Sequence, residues 1–307
     1  MNLKCPLCGH EQTRVIESLT GRQLSVLWRE HGDEFSAEAF LPITPETEVA
    51  LHRCAGCGFE FFDGALSGSA RFYDELSRGT YYARKTPEFL RALRFARQEK
   101  VERILDVGCG EGDFMDLAKA EGRRTYGIEL SAKAAAIARA KGHRVFDQPI
   151  QALSPEAMDG EFDLVTLFQV LEHVAKPESF ISEVKRFVRP GGHLIVGVPF
   201  AGGIQALAGL VPHQWPPHHI SRWRHAHLRR LGERAGLGVI YQTADVLEAA
   251  NLRYYLRLNK RMARALGRTG PSIPEAAILA ASVLYSVLGM KYFLPGLGTS
   301  AFTVYRK

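Results

Sequence analysis

Several scarcities in this 307-residue chain narrow what it does. The opening MNLKCPLCGH has no apolar core of the kind a secretory leader carries, so a reducing cytoplasm is the expected compartment. Cysteine is rare, five in all, and four of the five come as two CxxC pairs. In a reducing compartment such pairs indicate metal or redox chemistry, and a disulfide framework is excluded. Charge of one sign is not in large excess: the formal balance is +6, and zinc held by four thiolates would bring it to about +4. An anionic partner is therefore permitted but not demanded. The uncharged stretch AAILAASVLYSVLGM, Ala276–Met290, falls short of the ~20 residues a membrane-crossing helix needs. Only three tryptophans occur, and two of them sit in one short stretch, QWPPHHISRW.

Of what is present, the cysteine pairs come first. Cys5-Pro6-Leu7-Cys8-Gly9 and Cys54-Ala55-Gly56-Cys57-Gly58 repeat one pattern, CxxCG. The glycine lets the chain turn so that backbone N–H groups face the thiolates. Two such knuckles make a closed tetrahedral site for one structural Zn²⁺ on Cys5, Cys8, Cys54 and Cys57, with two reduced surface pairs as the alternative. No strand-then-helix pattern frames either pair, which disfavours a thioredoxin-like role. Between them, from about Gln12 to Leu51, a polar insert reads as hairpin-like. Phe59, Phe61 and Phe62 read as a packing face first and a ligand face second. This N-terminal zinc-ribbon module spans 1–65, with a helical linker over 66–100.

From Val101 the text alternates strand and helix signals. RILDVGCG is a buried strand entering a glycine turn, and DFMDLAKAEG a helix stopped by glycine. RTYGIEL is a strand ending in an acid. SAKAAAIARAKG is a helix with Ser131 as N-cap. HRVFD, FDLVTLFQV and HLIVGVPF are strands, and PESFISEVKRFVRPGG is an amphipathic helix with proline in its first turn. The order predicts an α/β fold with a doubly wound, mostly parallel sheet. Ligands of such sheets lie at the carboxyl ends of the strands, where Asp106, Gly108, Gly110 and Gly112 fall. Glu129, at the end of the next strand, suits a ribose diol. The dinucleotide pattern GxGxxG fails at its third glycine, where Asp113 stands, and Asp106 and Asp113 would repel a pyrophosphate. A ribose-bearing, phosphate-free, cationic ligand fits better, and S-adenosylmethionine is one.

ILDVGCGEGDF, YGIELS, FDLVTLFQVLEHV and RFVRPGGHLIVGVP, in this order, resemble the class I S-adenosylmethionine-dependent methyltransferases over about 101–245, and the match returns at SAFTVYRK. The resemblance implies a seven-stranded sheet, a methyltransferase domain over 101–250, a helical insertion over 251–298 and a last strand at 299–307. It implies that Asp106, Gly108 and Gly110 hold the methionine end of the cofactor and that Glu129 and Leu130 lie at the ribose. Asp147 and Ile150 would flank the adenine, and Gln169 the reacting methyl. RFYDELSRGTYY resembles the helix that precedes such domains, so Tyr82, or else Tyr81, would cover the cofactor. Cys109 reads as a buried filler.

An oxygen or carbon acceptor needs a base, and histidine serves near neutral pH. LEHV, with Glu172 and His173, resembles the ExxEH pattern of quinone-pathway O-methyltransferases, which is linked there to a divalent metal; here Gln169 replaces the first acid. QWPPHHISRW is similar to the base-bearing stretch of sugar C-methyltransferases that carry an N-terminal zinc module. That similarity places the base at His219, with His218 standing where those proteins have an acid. Pro216 and Pro217 would stiffen the loop, and Trp215 and Trp223 would offer apolar or sugar-stacking faces.

NLRYYLRLNKRMARALGR carries Arg253, Arg257, Lys260, Arg261, Arg264 and Arg268 on one helical face, with Leu252, Tyr255, Met262 and Leu266 opposite. Residues 251–296 form either a helical cap, on the core or on a second subunit of a homodimer, or a peripheral contact with the inner membrane face. The leading expectation is methyl transfer to a small-molecule, saccharide or lipid-linked acceptor. The runner-up is RNA methylation with the zinc module gripping RNA, disfavoured by the lack of an NPPY-like motif and by few basic residues in the ribbon. A cofactor-binding sensor without catalysis is the third class.

Overall fold

The computed structural model describes residues 3–76, 86–203, 209–245, 249–268 and 298–307. The chain divides into two compact units. One takes Met1–Ser69, Pro199–Arg224 and Thr243–Ala301; the other takes Ala70–Val198, His225–Gln242 and Phe302–Lys307.

In the first unit, strand β1 (Thr13–Thr20) pairs antiparallel with β2 (Glu48–Cys54), from Thr13 opposite Cys54 to Thr20 opposite Glu48. The expected hairpin is there in its pairing but not in its connection. Between the strands lie helix α1 (Gly21–His31) and the short α2 (Ala37–Phe40). Helix α1 has its own start and stop signals. Thr20 and Gln23 form a reciprocal capping box, and Gly32 ends the helix at φ 111°. Its apolar stripe, Leu24, Leu27 and Trp28, is buried.

Two short strands, β3 (Glu60–Phe61) and, from much later in the chain, β9 (Ser221–Arg222), complete a four-stranded sheet ordered β1-β2-β3-β9. Phe59, Phe61 and Phe62 are buried, as a packing face should be. A long helix, α9 (Ala249–Ala265), lies against α1. It buries Leu256, Leu258, Met262 and Ala263, a face shifted from the one expected, and leaves Tyr254 exposed. Arg261 approaches Glu30 at 3.9 Å and Arg268 approaches Glu17 at 3.5 Å. The stretch at 276–290 lies outside the described residues. Among the described residues no helix is long and apolar enough to cross a membrane.

The second unit begins with α3 (Ala70–Leu76) and α4 (Pro87–Gln98). Then come β4 (Arg103–Val107), α5 (Asp113–Ala120), β5 (Arg124–Ile128), α6 (Ala132–Ala140) and β6 (Arg144–Phe146). Strand β7 (Phe162–Phe168), α7 (Pro177–Arg186) and β8 (Val188–Pro199) follow, then α8 (His225–Arg234), β10 (Gly238–Ala244) and β11 (Ser300–Arg306). The seven strands are ordered β10-β11-β8-β7-β4-β5-β6, and the pairs from β8 through β6 are parallel. The mostly parallel sheet expected from the alternating pattern is therefore present, with the seven strands that the resemblance implies. Its central strands are apolar along their length because helices cover both faces. Ile104, Phe114, Leu164, Phe168, Ile195 and Phe302 form part of that core. Ser131 caps α6 through its side chain, as its position implies.

Candidate active site

In the second unit the chain leaves β4 through a turn whose left-handed geometry favours glycine. Gly108, Gly110 and Gly112 have φ of 76°, 53° and 84°. A Cβ added to Gly108 would overlap Cγ2 of Val170, and one added to Gly112 would lie 2.9 Å from Cδ2 of His143. The turn is tied to the next strand, since the N–H groups of Gly108 and Cys109 both donate to the carbonyl of Ile128, at 2.7 and 3.1 Å. Cys109 fills the space over Gly127, where a Cβ would meet its Sγ at 2.5 Å.

Two carboxylates flank the turn. Asp106, the last acid of β4, is 3% exposed and accepts a 2.7 Å hydrogen bond from Thr166 of β7. Burial pushes its carboxyl up to about 7. The Thr166 hydroxyl pulls it down, and the negative charge of Glu129 adds to the rise. Glu129 follows β5. Its Oε2 accepts from the Gly110 N–H at 2.8 Å and its Oε1 from the Ser131 N–H at 2.7 Å. Burial raises its carboxyl, and those backbone donors oppose the rise. Leu130 is exposed, Ile150 is buried, and Asp147 pairs with Arg139 at 3.2 Å. Tyr82 and Tyr81 lie outside the described residues.

A second cluster sits past the end of β7. Gln169 adopts φ 57° and donates its side-chain amide to both carboxylate oxygens of Glu88, at 3.1 and 3.3 Å. Glu88 is 2% exposed, although it stands in the first turn of α4, where acids usually complement the helix dipole from the surface. It fits because β8 has glycine at 197, where a Cβ would lie 2.5 Å from Glu88 Oε1. Glu172 is also buried, and burial holds its carboxyl well above the usual carboxylate range. Beside it His173 places Nε2 3.8 Å from Glu172 Oε1 and Nδ1 3.0 Å from the hydroxyl of Tyr73 on α3. Glu88, Tyr73 and Thr166 were not anticipated from the sequence. The nearest signal for Glu88 was the acid after Thr-Pro at a helix start, which reads as an ordinary first-turn residue.

The first unit holds the other anticipated residues. Cys5 Sγ lies 3.7 Å from Cys57 Sγ, and Cys8 Sγ lies 3.6 Å from Cys54 Sγ; all four sulfurs lie within 4.8 Å of one another. Sulfurs at about 2.3 Å from a tetrahedral zinc stand about 3.8 Å apart, so the cluster fits that ion. The two knuckles are built alike. The N–H of Gly9 donates to the Cys5 carbonyl at 2.9 Å and that of Gly58 to the Cys54 carbonyl at 3.0 Å, with φ of 74° and 72°. Burial pushes the Cys57 thiol up to about 11, which a bound cation would reverse.

The QWPPHHISRW stretch is core, which corrects one expectation. Trp215 and Trp223 are both fully buried and present no open stacking face. Trp215 packs on Phe62 with ring centroids 5.1 Å apart and donates its indole N–H to the carbonyl of Gly209 at 2.6 Å. Trp223 packs on Phe59 at 4.7 Å and donates to Ser221 Oγ at 2.9 Å. The guanidinium of Arg222 stands over the rings of both Phe62 and Trp215. His218 and His219 do not point apart, as neighbours in a chain usually do. Their rings stack at 4.3 Å with 23° between the planes, and both are buried. His218 Nδ1–H donates to the carbonyl of His213 at 3.1 Å.

The model of the methyltransferase domain family matches residues 77–242, over half of the chain. The chain belongs to that family. This methyltransferase-domain protein is 38% identical over 100 residues to the ubiquinone biosynthesis O-methyltransferase of Dechloromonas aromatica, a match spanning 31% of this chain and 43% of that relative. It is 31% identical over 179 residues to a Mycolicibacterium smegmatis protein named "Probable S-adenosylmethionine-dependent methyltransferase", spanning 57% and 63%. The chain thus spans less than two-thirds of the length of either relative. Among solved structures it resembles a candidate methyltransferase from Bacillus halodurans C-125. That likeness has a TM-score of 0.51 at 16% identity and covers 72% of this chain and 99% of that one. It bears on the fold alone. The family match takes in most of the second unit and Pro199–Arg224 of the first, and it does not cover the four-cysteine module.

Proposed function

We propose that this methyltransferase-domain protein transfers the methyl group of S-adenosylmethionine to an oxygen, or else a carbon, of a small-molecule, saccharide or lipid-linked acceptor. When bound, the cofactor supplies a sulfonium whose methyl is displaced in line by the acceptor. The glycine cradle after β4 and the buried Asp106 suit the cationic amino-acid end of such a cofactor, since a buried acid that ionises near neutrality is stabilised by a cation. Glu129 suits the ribose hydroxyls, because the backbone N–H groups of Gly110 and Ser131 fix both its oxygens in place. Leu130 would lie beside Glu129 at the ribose, and Asp147 and Ile150 would flank the adenine. Gln169, held by Glu88, would stand near the reacting methyl.

The observation that carries oxygen transfer is the hydrogen bond between Tyr73 and His173 Nδ1, next to Glu172 and past the end of β7. In the tautomer whose Nδ1–H donates to the tyrosine hydroxyl, Nε2 can take the acceptor proton. His173 therefore replaces His219 as the favoured base, because its side chain is 17% exposed while His219 is buried against His218. The O-methyltransferase name carried by the Dechloromonas relative supports the same reading. Zn²⁺ on the four cysteines would be structural, with no coordination position left for a substrate.

The test uses purified protein, S-adenosylmethionine labelled in the methyl group, and cell extract split into aqueous, lipid and RNA fractions. Label in the aqueous or lipid fraction, carried on an oxygen or carbon of the isolated compound, supports the proposal; label on nitrogen or sulfur overturns it. Label in RNA replaces it with RNA methylation. Cofactor binding with no label in any fraction replaces it with a sensor.

A further inference from the structure

Outside the cysteine cluster, the first unit carries a second convergence of metal-ligating groups at the end of α1. Helix α1 stops at Gly32, whose N–H donates to the carbonyls of Trp28 and Arg29, both at 3.1 Å. The chain then reverses, and the N–H of Asp33 donates to the Trp28 carbonyl at 3.0 Å. That reversal brings Asp33 back over the last helical turn, with its Oδ2 2.6 Å from Nδ1 of His31. So far this is an ordinary His–Asp hydrogen bond at a helix end. A third donor group arrives from far along the chain. His213, in the Pro212–Gln214 turn, places its ring 4.6 Å from that of His31 at 74° between the planes. One ligand atom from each of His31, Asp33 and His213 lies within 4.8 Å of the others.

The surroundings suit a cation. The ring of Trp28 walls the cluster on one side, 4.8 Å from His213 and 6.3 Å from His31. The backbone of His213 is steadied by the bond its carbonyl accepts from His218. The carbonyl end of a helix also carries partial negative charge. Metal bonds of about 2.0–2.2 Å to nitrogen and oxygen hold such ligands roughly 3–3.5 Å from one another, so the His31–Asp33 pair would open slightly from 2.6 Å while His213, within 4.8 Å of both, stays in reach. The proton now shared by His31 and Asp33 would leave, and two metal bonds would take its place.

We propose that His31, Asp33 and His213 form a second divalent-metal site, distinct in chemistry from the four cysteines. Two imidazoles and one carboxylate select a borderline ion of the Fe²⁺-to-Zn²⁺ series over Ca²⁺ or Mg²⁺, which prefer all-oxygen sites. The side chains of His31 and Asp33 are 19% and 32% exposed. Three protein ligands at a half-exposed place leave at least one coordination position for water or an anionic ligand, unlike the closed cysteine cluster.

The test titrates Co²⁺ into the full-length protein after it has been loaded with one equivalent of Zn²⁺, which the thiolates take first. The expected result is one further equivalent bound, with visible ligand-field absorption and no thiolate-to-metal charge-transfer band. Asp33→Asn and His213→Ala should each weaken that second equivalent by at least about 10-fold, the lower end of what losing even an outer-shell partner costs. The zinc equivalent should stay in place in both. Circular dichroism confirms folding, and His31→Gln reads the same site should His213→Ala not fold. A wild-type protein that binds no second equivalent overturns the proposal, as does a second equivalent that survives in the folded variants.

Discussion

Asp106→Asn separates the cofactor's contribution from the protein's own stability. In the protein without cofactor, burial lifts the Asp106 carboxyl from the ordinary 3.8 to about 7. Keeping that group ionised in the folded state costs on the order of 4 kcal/mol. The sign follows from the folded value lying above the unfolded one. The contribution is fully present below about pH 4 and is lost as pH rises through about 7. Asparagine cannot titrate, and its carbonyl still accepts the Thr166 hydroxyl, so the local packing survives. Thermal midpoints of both proteins are measured without cofactor from about pH 3.5, below the unfolded value, to about pH 8.5. The variant should match the wild type at the acid end and exceed it by several degrees at the alkaline end. Calorimetry at pH 8 should then show S-adenosylmethionine binding at least about 10-fold more weakly to the variant, because the cation has lost its buried counter-charge. Parallel stability curves, or an unchanged affinity, would refute the reasoning.

Gly108→Ala forces a left-handed backbone onto a residue with a Cβ and drives that atom into Val170, so cofactor affinity should fall by more than about 10-fold in a protein that still folds. Cys54→Ser should release one zinc equivalent on elemental analysis and lower the thermal midpoint, and an unchanged metal content would leave the cysteines as two reduced pairs. His173→Gln should cut kcat by about 10²–10⁴ with cofactor affinity intact. The same loss in His219→Ala, with His173→Gln active, would return the base to His219. Sedimentation with anionic vesicles tests the peripheral membrane contact expected of 251–296. The ion pairs of Arg261 and Arg268 with Glu30 and Glu17 already engage part of that basic face, so weak partition is the expected outcome.

The sheet was legible because its strands are buried on both faces and read as unbroken apolar runs bounded by glycine. Asp106, the glycine turn and Glu129 were legible for a related reason, since a positive φ and a carboxylate at a strand end leave local signals. The connection between β1 and β2 was not recognised as helical, although Thr20, Gln23 and Gly32 carry the capping chemistry; its polar composition hid a narrow apolar stripe. The tryptophans of QWPPHHISRW read as loop residues because their partners Phe59 and Phe62 lie far away in sequence. Glu88 was beyond reach for the same reason. Its burial depends on an absent side chain at Gly197, on another strand.

The pairing of β3 with β9 also bears on how the chain is born. The cysteine knuckles and the β1–β2 pair are complete once Gly58 has left the ribosome, and the zinc proposed for the four cysteines would close them then. The fourth strand of that sheet, with the tryptophans that cover Phe59 and Phe62, is not made until residue 223. At about 5–20 residues per second, the early ribbon waits on the order of ten to thirty seconds with its aromatic face bare, while the whole central sheet region from β4 to β8 is synthesised. A chaperone that holds apolar surface would therefore find its target at Phe59, Phe61 and Phe62. A chain cut back to begin at residue 70 would lack the strand and rings that complete β9, Trp215 and Trp223.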